Sequence, residues 1–215
     1  MSTDPRRRPR FRVAILLYDG FDELDALAPY EVLRNAALGG AEVGTLLVTR
    51  IPSPRVTGSH GLAVEPQALL EDGGFDLVIV PGGGWNDRAP AGAFAEAQRG
   101  EVPAALRSLH KDGVSIASVC TGGMLLAAAG LLTGRRGTTH HRALDELRSQ
   151  GVEVIDARVV DDGDLLTCGG VTSGIDLALW VVEREWGAAL AAGIAREMEH
   201  ERRGPIWTRD GNIDP

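Results

Sequence analysis

Two cysteines, five histidines and a run of carboxylates near the start of the chain supply the groups able to do covalent or acid–base chemistry. Cys120 has the most informative setting. It follows Val114 to Val119, a short β-branched, apolar run of strand character. Beyond it, Met124 to Ala129 is a run of strong helix formers stopped by Gly130. Gly122 and Gly123 allow a sharp bend, so Cys120 is expected on the elbow where a buried strand becomes a helix. A side chain there stands clear of the backbone and faces the unpaired amides and positive dipole end of the new helix, which favour a thiolate. That is the setting of a cysteine nucleophile. A lone cysteine beside an apolar run is also a common small buried hydrophobe. On this stretch alone the two readings stand level, because two adjacent glycines have little reason to be in an ordinary strand-to-helix loop.

Ligand sites in an open parallel sheet form at the carboxyl ends of its strands. Three loops leave such ends: Asp19 to Asp25, Pro81 to Gly84, and Cys120 to Gly123. If their strands are neighbours, the loops converge on one pocket. Amides of the Gly82-Gly83 loop and of Thr121 can then hold developing negative charge. A carboxyl from the start of the first helix, among Asp19, Asp22, Glu23 and Asp25, can bond the sulfur and move protons.

The elements that must position these groups follow from hydrophobic periodicity. Phe11 to Tyr18, Ala41 to Thr49, Asp76 to Val80, Val152 to Ile155, Arg158 to Val160 and Leu165 to Cys168 read as strands. Arg136 to Thr139 reads as a further short strand, and Ile51 to Pro66 as a hairpin around Gly58-Ser59-His60-Gly61. Helices are expected over Glu23 to Leu38, with a kink or restart at Pro29, over Ala93 to Lys111 with a break near Gly100 to Pro103, and over His141 to Gln150. Two more, Ser173 to Trp186 and Ala188 to Glu201, complete an α/β domain with an open, mostly parallel sheet. Trp180 and Trp186, six apart, read as core or dimer contacts. Residues 1–10 are expected to be a disordered basic arm, 11–203 a single domain, and 204–215 a polar tail.

Composition sets the bounds. A chain of 215 residues, 44% hydrophobic and 24% charged, is that of an ordinary single globular domain. A formal net charge of −8 argues against wholesale binding to nucleic acid or anionic membrane. No apolar run reaches the ~20 residues of a membrane span. Two cysteines and no secretory apolar segment point to a reducing, cytoplasmic setting.

The motifs P-G-G-G, S-V-C-T-G, G-L-L-T-G-R-R, T-T-H and V-V-D-D-G-D-L-L-T-C-G-G-V-T-S-G-I-D-L-A-L resemble the ThiJ/PfpI superfamily, and within it the isonitrile (isocyanide) hydratase branch. The likeness runs from about Arg12 to Glu199. It implies a three-layer α/β sandwich, flavodoxin-like and class I glutamine amidotransferase-like. It implies Cys120 as nucleophile, Asp25 as its acidic partner, Thr121 facing the pocket and Gly83 in the oxyanion loop beside Gly82. It implies a small-molecule substrate, a homodimer with its site near the subunit boundary, and no metal or organic cofactor. Asp22 is then better read as an N-cap. His140, which can approach Cys120, and His141 read as a structural or pocket-lining pair, since the amidase-like members carry a histidine directly after the cysteine where this chain has Thr121. Cys168 stands where similar sequences have glycine; it either packs or lies close enough to Cys120 for redox coupling. Other cysteine chemistry of the superfamily (glyoxal hydration, amide hydrolysis) and a non-catalytic sensor akin to the amino-terminal half of AraC-type regulators are the alternatives.

Overall fold

The computed structural model describes residues 11–213; the expected arm lies outside the described residues. The first half of the chain alternates β1 (Phe11–Leu16), α1 (Glu23–Leu38), β2 (Val43–Thr49), the short pieces β3 (Val56–Thr57), β4 (Ala63–Val64) and β5 (Ala68–Leu69), then β6 (Leu77–Val80). Helices α2 (Ala93–Arg99) and α3 (Glu101–Lys111) lead to β7 (Ser115–Ser118) and α4 (Gly122–Ala128). There follow β8 (Arg136–Gly137), α5 (Leu144–Ser149), β9 (Glu153–Val154), β10 (Val159–Asp161) and β11 (Leu165–Cys168). Helices α6 (Ser173–Trp186) and α7 (Ala188–Glu197) and a last hairpin, β12 (Ile206–Thr208) and β13 (Gly211–Ile213), close the chain.

Nine strands form one sheet in the order β13-β12-β10-β11-β7-β6-β1-β2-β5. From β5 to β11 every pairing is parallel, and only β10 against β11 and β12 against β13 run antiparallel. The strands β1 and β6 are buried end to end or nearly so, as near-continuous apolar runs covered on both faces should be. Helices α1, α6 and α7 pack together as one layer, and α2, α3 and α4 as the other. The expected three-layer, mostly parallel architecture is the one found.

The order matters for chemistry. Because β6 lies between β1 and β7, the loops after all three strands leave the same edge of the sheet side by side. A fourth loop, 169–172 after β11, joins them.

Two expectations need correction. α1 is continuous through Pro29, with no restart; the buried ring is covered by Gly174 of α6, where an added Cβ would stand 3.4 Å from the ring. The segment expected as a polar tail instead extends the sheet. β12 pairs in parallel with β10, matching Val159 to Ile206, and Ile206 is 1% exposed. Arg209 locks the hairpin down by donating from Nε to Asp162 Oδ1 at 2.9 Å and from Nη2 to the Asp162 carbonyl at 2.6 Å. Trp180 is core, donating its indole N–H to Asp161 at 2.8 Å, and Trp186 meets Phe11 edge-on at 5.5 Å.

Ile206→Ala tests the hairpin. A fully buried isoleucine truncated to alanine is expected to cost about 2–4 kcal/mol in denaturant unfolding, where a detached tail would give no change.

Candidate active site

Cys120 sits on the elbow between β7 and α4 in the left-handed region, at φ 55°. Gly122 is required there, since a Cβ on it would lie 2.1 Å from the Val80 carbonyl oxygen. The strained turn is held from both sides: the Cys120 N–H donates to Gly169 O at 2.9 Å, and Thr139 Oγ1 donates to Cys120 O at 2.7 Å. Cys120 is 6% exposed.

Asp25 lies in the first turn of α1, fully buried. Asp22, as expected, is the N-cap, accepting from Leu24 N at 3.2 Å. Asp25 Oδ2 accepts from Gly82 N at 2.9 Å, while Oδ1 has no hydrogen-bond partner and the Cys120 thiol interacts with the same carboxyl. Burial first, and then the charge of Asp22, push the Asp25 carboxyl well above the usual carboxylate range. Burial first, and then Asp25, push the Cys120 thiol up to about 12.

This corrects the expected thiolate. Desolvation and a facing carboxylate outweigh the amides that favour the anion, so the free site holds its sulfur as a thiol. Carboxyl and thiol are coupled, and their protons belong to the pair.

Of the expected anion-stabilising amides, that of Thr121 reaches the sulfur and those of the Gly82-Gly83 loop are engaged elsewhere. Gly82 N–H is spent on Asp25, and Gly83 N–H donates to Thr121 Oγ1 at 3.0 Å. The amides that reach the Cys120 sulfur are those of Thr121 and Val171. Val171 was not among the expected site residues. It is held at φ 36°, a costly conformation for a β-branched side chain, on the loop after β11. The Gly169-Gly170 pair before it was the available signal. His140 packs on that loop, its ring so close that a Cβ at Gly170 would stand 2.7 Å from Cδ2. Its Nδ1 accepts from Arg142 N at 3.2 Å, which leaves Nε2 as the protonated nitrogen of the neutral ring. Burial first, and then His141, lower its proton affinity. The geometry joins Cys120, Asp25, Thr121, Gly82 and Gly83 in one contact network and leaves His140 beside it.

A model of the DJ-1/PfpI family matches residues 11–184. The chain belongs to that family. It is 35% identical over 196 residues to an isonitrile hydratase of Pseudomonas putida, covering 91% of this chain and 81% of that protein. It is 33% identical over 156 residues to a deglycase of Pyrococcus abyssi, covering 71% and 86%. Among solved structures, a ThiJ/PfpI family protein from Pseudomonas syringae superposes with a TM-score of 0.77 at 26% identity, covering 94% of this chain and 82% of that one.

Around this DJ-1/PfpI site the remaining chemical groups have other employment. Cys168, fully buried at the end of β11, is a free thiol like Cys120, and burial raises it well above the ordinary thiol range. Among the described residues, Asp22, Glu23 and His60 offer ligand atoms within 4.8 Å of one another. Glu23 is already engaged by the β3–β4 hairpin, accepting from His60 N at 2.7 Å and Leu62 N at 3.3 Å and pairing with His60 Nδ1 at 2.6 Å. A cavity of about 420 Å³ opens at the carboxyl ends of β1 and β2, lined by Tyr18, Asp19, Arg50, Glu96 and Arg99 among others. Its lining does not include Cys120.

An acid whose proton affinity rises on folding binds the extra proton in the folded chain, so stability falls as pH rises from the unfolded pKa through the folded one. Asp25→Asn removes that dependence. The variant is expected to melt above wild type at about pH 8, with the gain shrinking toward about pH 4, in thermal unfolding followed by circular dichroism.

Proposed function

We propose that the chain is a cysteine-dependent isonitrile hydratase, adding water to an isocyanide to give an N-substituted formamide. The observation that carries this reading is the dry Asp25–Cys120 pair, with a carboxyl oxygen left without a fixed partner. The terminal carbon of an isocyanide needs a nucleophile and a proton on the same atom, and the pair offers both within one contact.

In the singly protonated pair, with Asp25 a carboxylate and Cys120 a thiol, the thiol proton passes to Asp25 as the sulfur bonds to the isocyanide carbon. Asp25 then delivers that proton to the same carbon, leaving a thioimidate on Cys120 and a carboxylate on Asp25. Thr121 and Val171 N–H groups hold the sulfur's charge while it forms. Water adds to the thioimidate carbon with its proton taken by Asp25, and collapse releases the formamide and returns the thiol. Atoms balance as isocyanide plus water. The similarity to the P. putida isonitrile hydratase over most of both chains supports the same reading. The homodimer belongs to this proposal too: a Cys120 only 6% exposed in one chain fits a pocket completed at a subunit boundary. A second reading, glyoxalase- or deglycase-type chemistry on the same sulfur, is favoured by the likeness to the P. abyssi deglycase. The two free cysteines fit a reducing compartment such as the cytoplasm.

Nuclear magnetic resonance of wild type with a simple alkyl isocyanide is expected to show the N-alkyl formamide. Cys120→Ala is expected to form none while keeping its fold, and Asp25→Asn to be slowed about 100-fold or more. No formamide together with turnover of methylglyoxal would move the assignment to the second reading.

A further inference from the structure

We propose that Tyr18 is a positioning residue for Asp25, acting through the single peptide unit that joins Pro81 to Gly82. Tyr18 follows β1 and is 7% exposed. Its hydroxyl donates to the Pro81 carbonyl oxygen and stands 3.3 Å from that of Gly82. The Pro81 carbonyl and the Gly82 N–H are two ends of one amide, and that N–H lies 2.9 Å from Asp25 Oδ2. A donor on the carbonyl draws electron density toward oxygen and leaves the N–H a stronger donor. A stronger N–H favours the carboxylate over the carboxylic acid. The tyrosine therefore sets how Asp25 and Cys120 divide their proton, without touching the sulfur's reaction partner. A buried phenol needs some acceptor. What makes this one consequential is that the chosen carbonyl belongs to the amide that grips Asp25.

The titratable groups facing Asp25 are Asp22 ahead of its own helix, Cys120 from the elbow, Cys168 from the end of β11, and Tyr18 itself. Burial first, and then the charge of Asp25, hold the phenol protonated, so Tyr18 remains a donor. Asp22 N also donates to Gly82 O at 2.9 Å, which ties the same loop to the start of α1. The inference rests on Asp25 as the proton carrier of Cys120, and not on the identity of the electrophile.

Alkylation of Cys120 by iodoacetamide, followed by mass spectrometry across pH, reads the pair without any isocyanide. The rate is expected to rise as the pair loses its first proton, level off, and rise again toward pH 12. In Tyr18→Phe the carboxylate is more basic. The first rise is then expected about half a pH unit higher, and the plateau about threefold faster, because Asp25 takes more of the single proton from sulfur. Global 3,5-difluorotyrosine in a Tyr30→Phe background strengthens the donor at nearly unchanged shape and is expected to move both features the opposite way. An unmoved first rise in both proteins would overturn the proposal, as would an equal shift from Tyr18→Phe in an Asp25→Asn background. Should Tyr18→Phe fail to fold, the fluorotyrosine comparison decides alone. Absence of isocyanide turnover in wild type would sink the proposed reaction and leave this result standing.

Discussion

A carboxyl and a thiol are pressed together in a dry corner of the sheet, and the rest of the molecule is arranged so that neither ionises at its ordinary pH. Water would let both groups charge independently. Burial of Asp25 to zero exposure and of Cys120 to 6% removes that option and turns two titrations into one shared event. The pair is therefore a store for a proton that can be moved to a bound carbon while the sulfur attacks. A cysteine activated in isolation would offer the nucleophile without the proton.

The fold supplies this corner by adjacency and at a conformational cost. With β6 between β1 and β7, the Gly82 amide from one loop meets the carboxyl from α1, and the sulfur arrives from the other side. Cys120 and Val171 both occupy left-handed backbone, each costing on the order of 1–3 kcal/mol. The bond from Cys120 N to Gly169 O ties one strained loop to the other, so the elbow and the loop after β11 hold each other in place. The outcome is that two amides point at the sulfur while the amides of Gly82 and Gly83 keep the acid and Thr121 in register.

Much of this was legible in the order of residues. The buried parallel strands announce themselves as apolar runs, and the strand–Cys120–Gly122–Gly123–helix pattern locates the elbow because only a small residue fits under the Val80 carbonyl. Asp22 as N-cap follows from helix geometry, while the choice of Asp25 among the neighbouring carboxylates comes from the family resemblance. What escaped depends on contacts between residues far apart in the chain. The thiolate expectation considered the helix amides and could not weigh them against desolvation and the facing carboxylate. The Gly82 and Gly83 amides were read as free donors because their acceptors, Asp25 and Thr121, come from other loops. Ile206-Trp207-Thr208 is too short and too flanked by charge to read as a strand, and its pairing with Val159–Asp161 on one side and Gly211–Ile213 on the other makes it one. Val171 carries no mark of its own beyond the glycines before it.

Asp25 keeps its proton beyond the range of an ordinary aspartate because burial, and then the charge of Asp22, oppose its ionisation. Infrared difference spectroscopy of wild type against Asp25→Asn measures this most directly, by the carbonyl stretch of a protonated carboxylic acid. The Asp25 band is expected to persist above about pH 5, where ordinary aspartates have ionised. A band already gone by about pH 4 would contradict it, for the carboxyl would then be an ordinary anion with no raised affinity for the thiol proton.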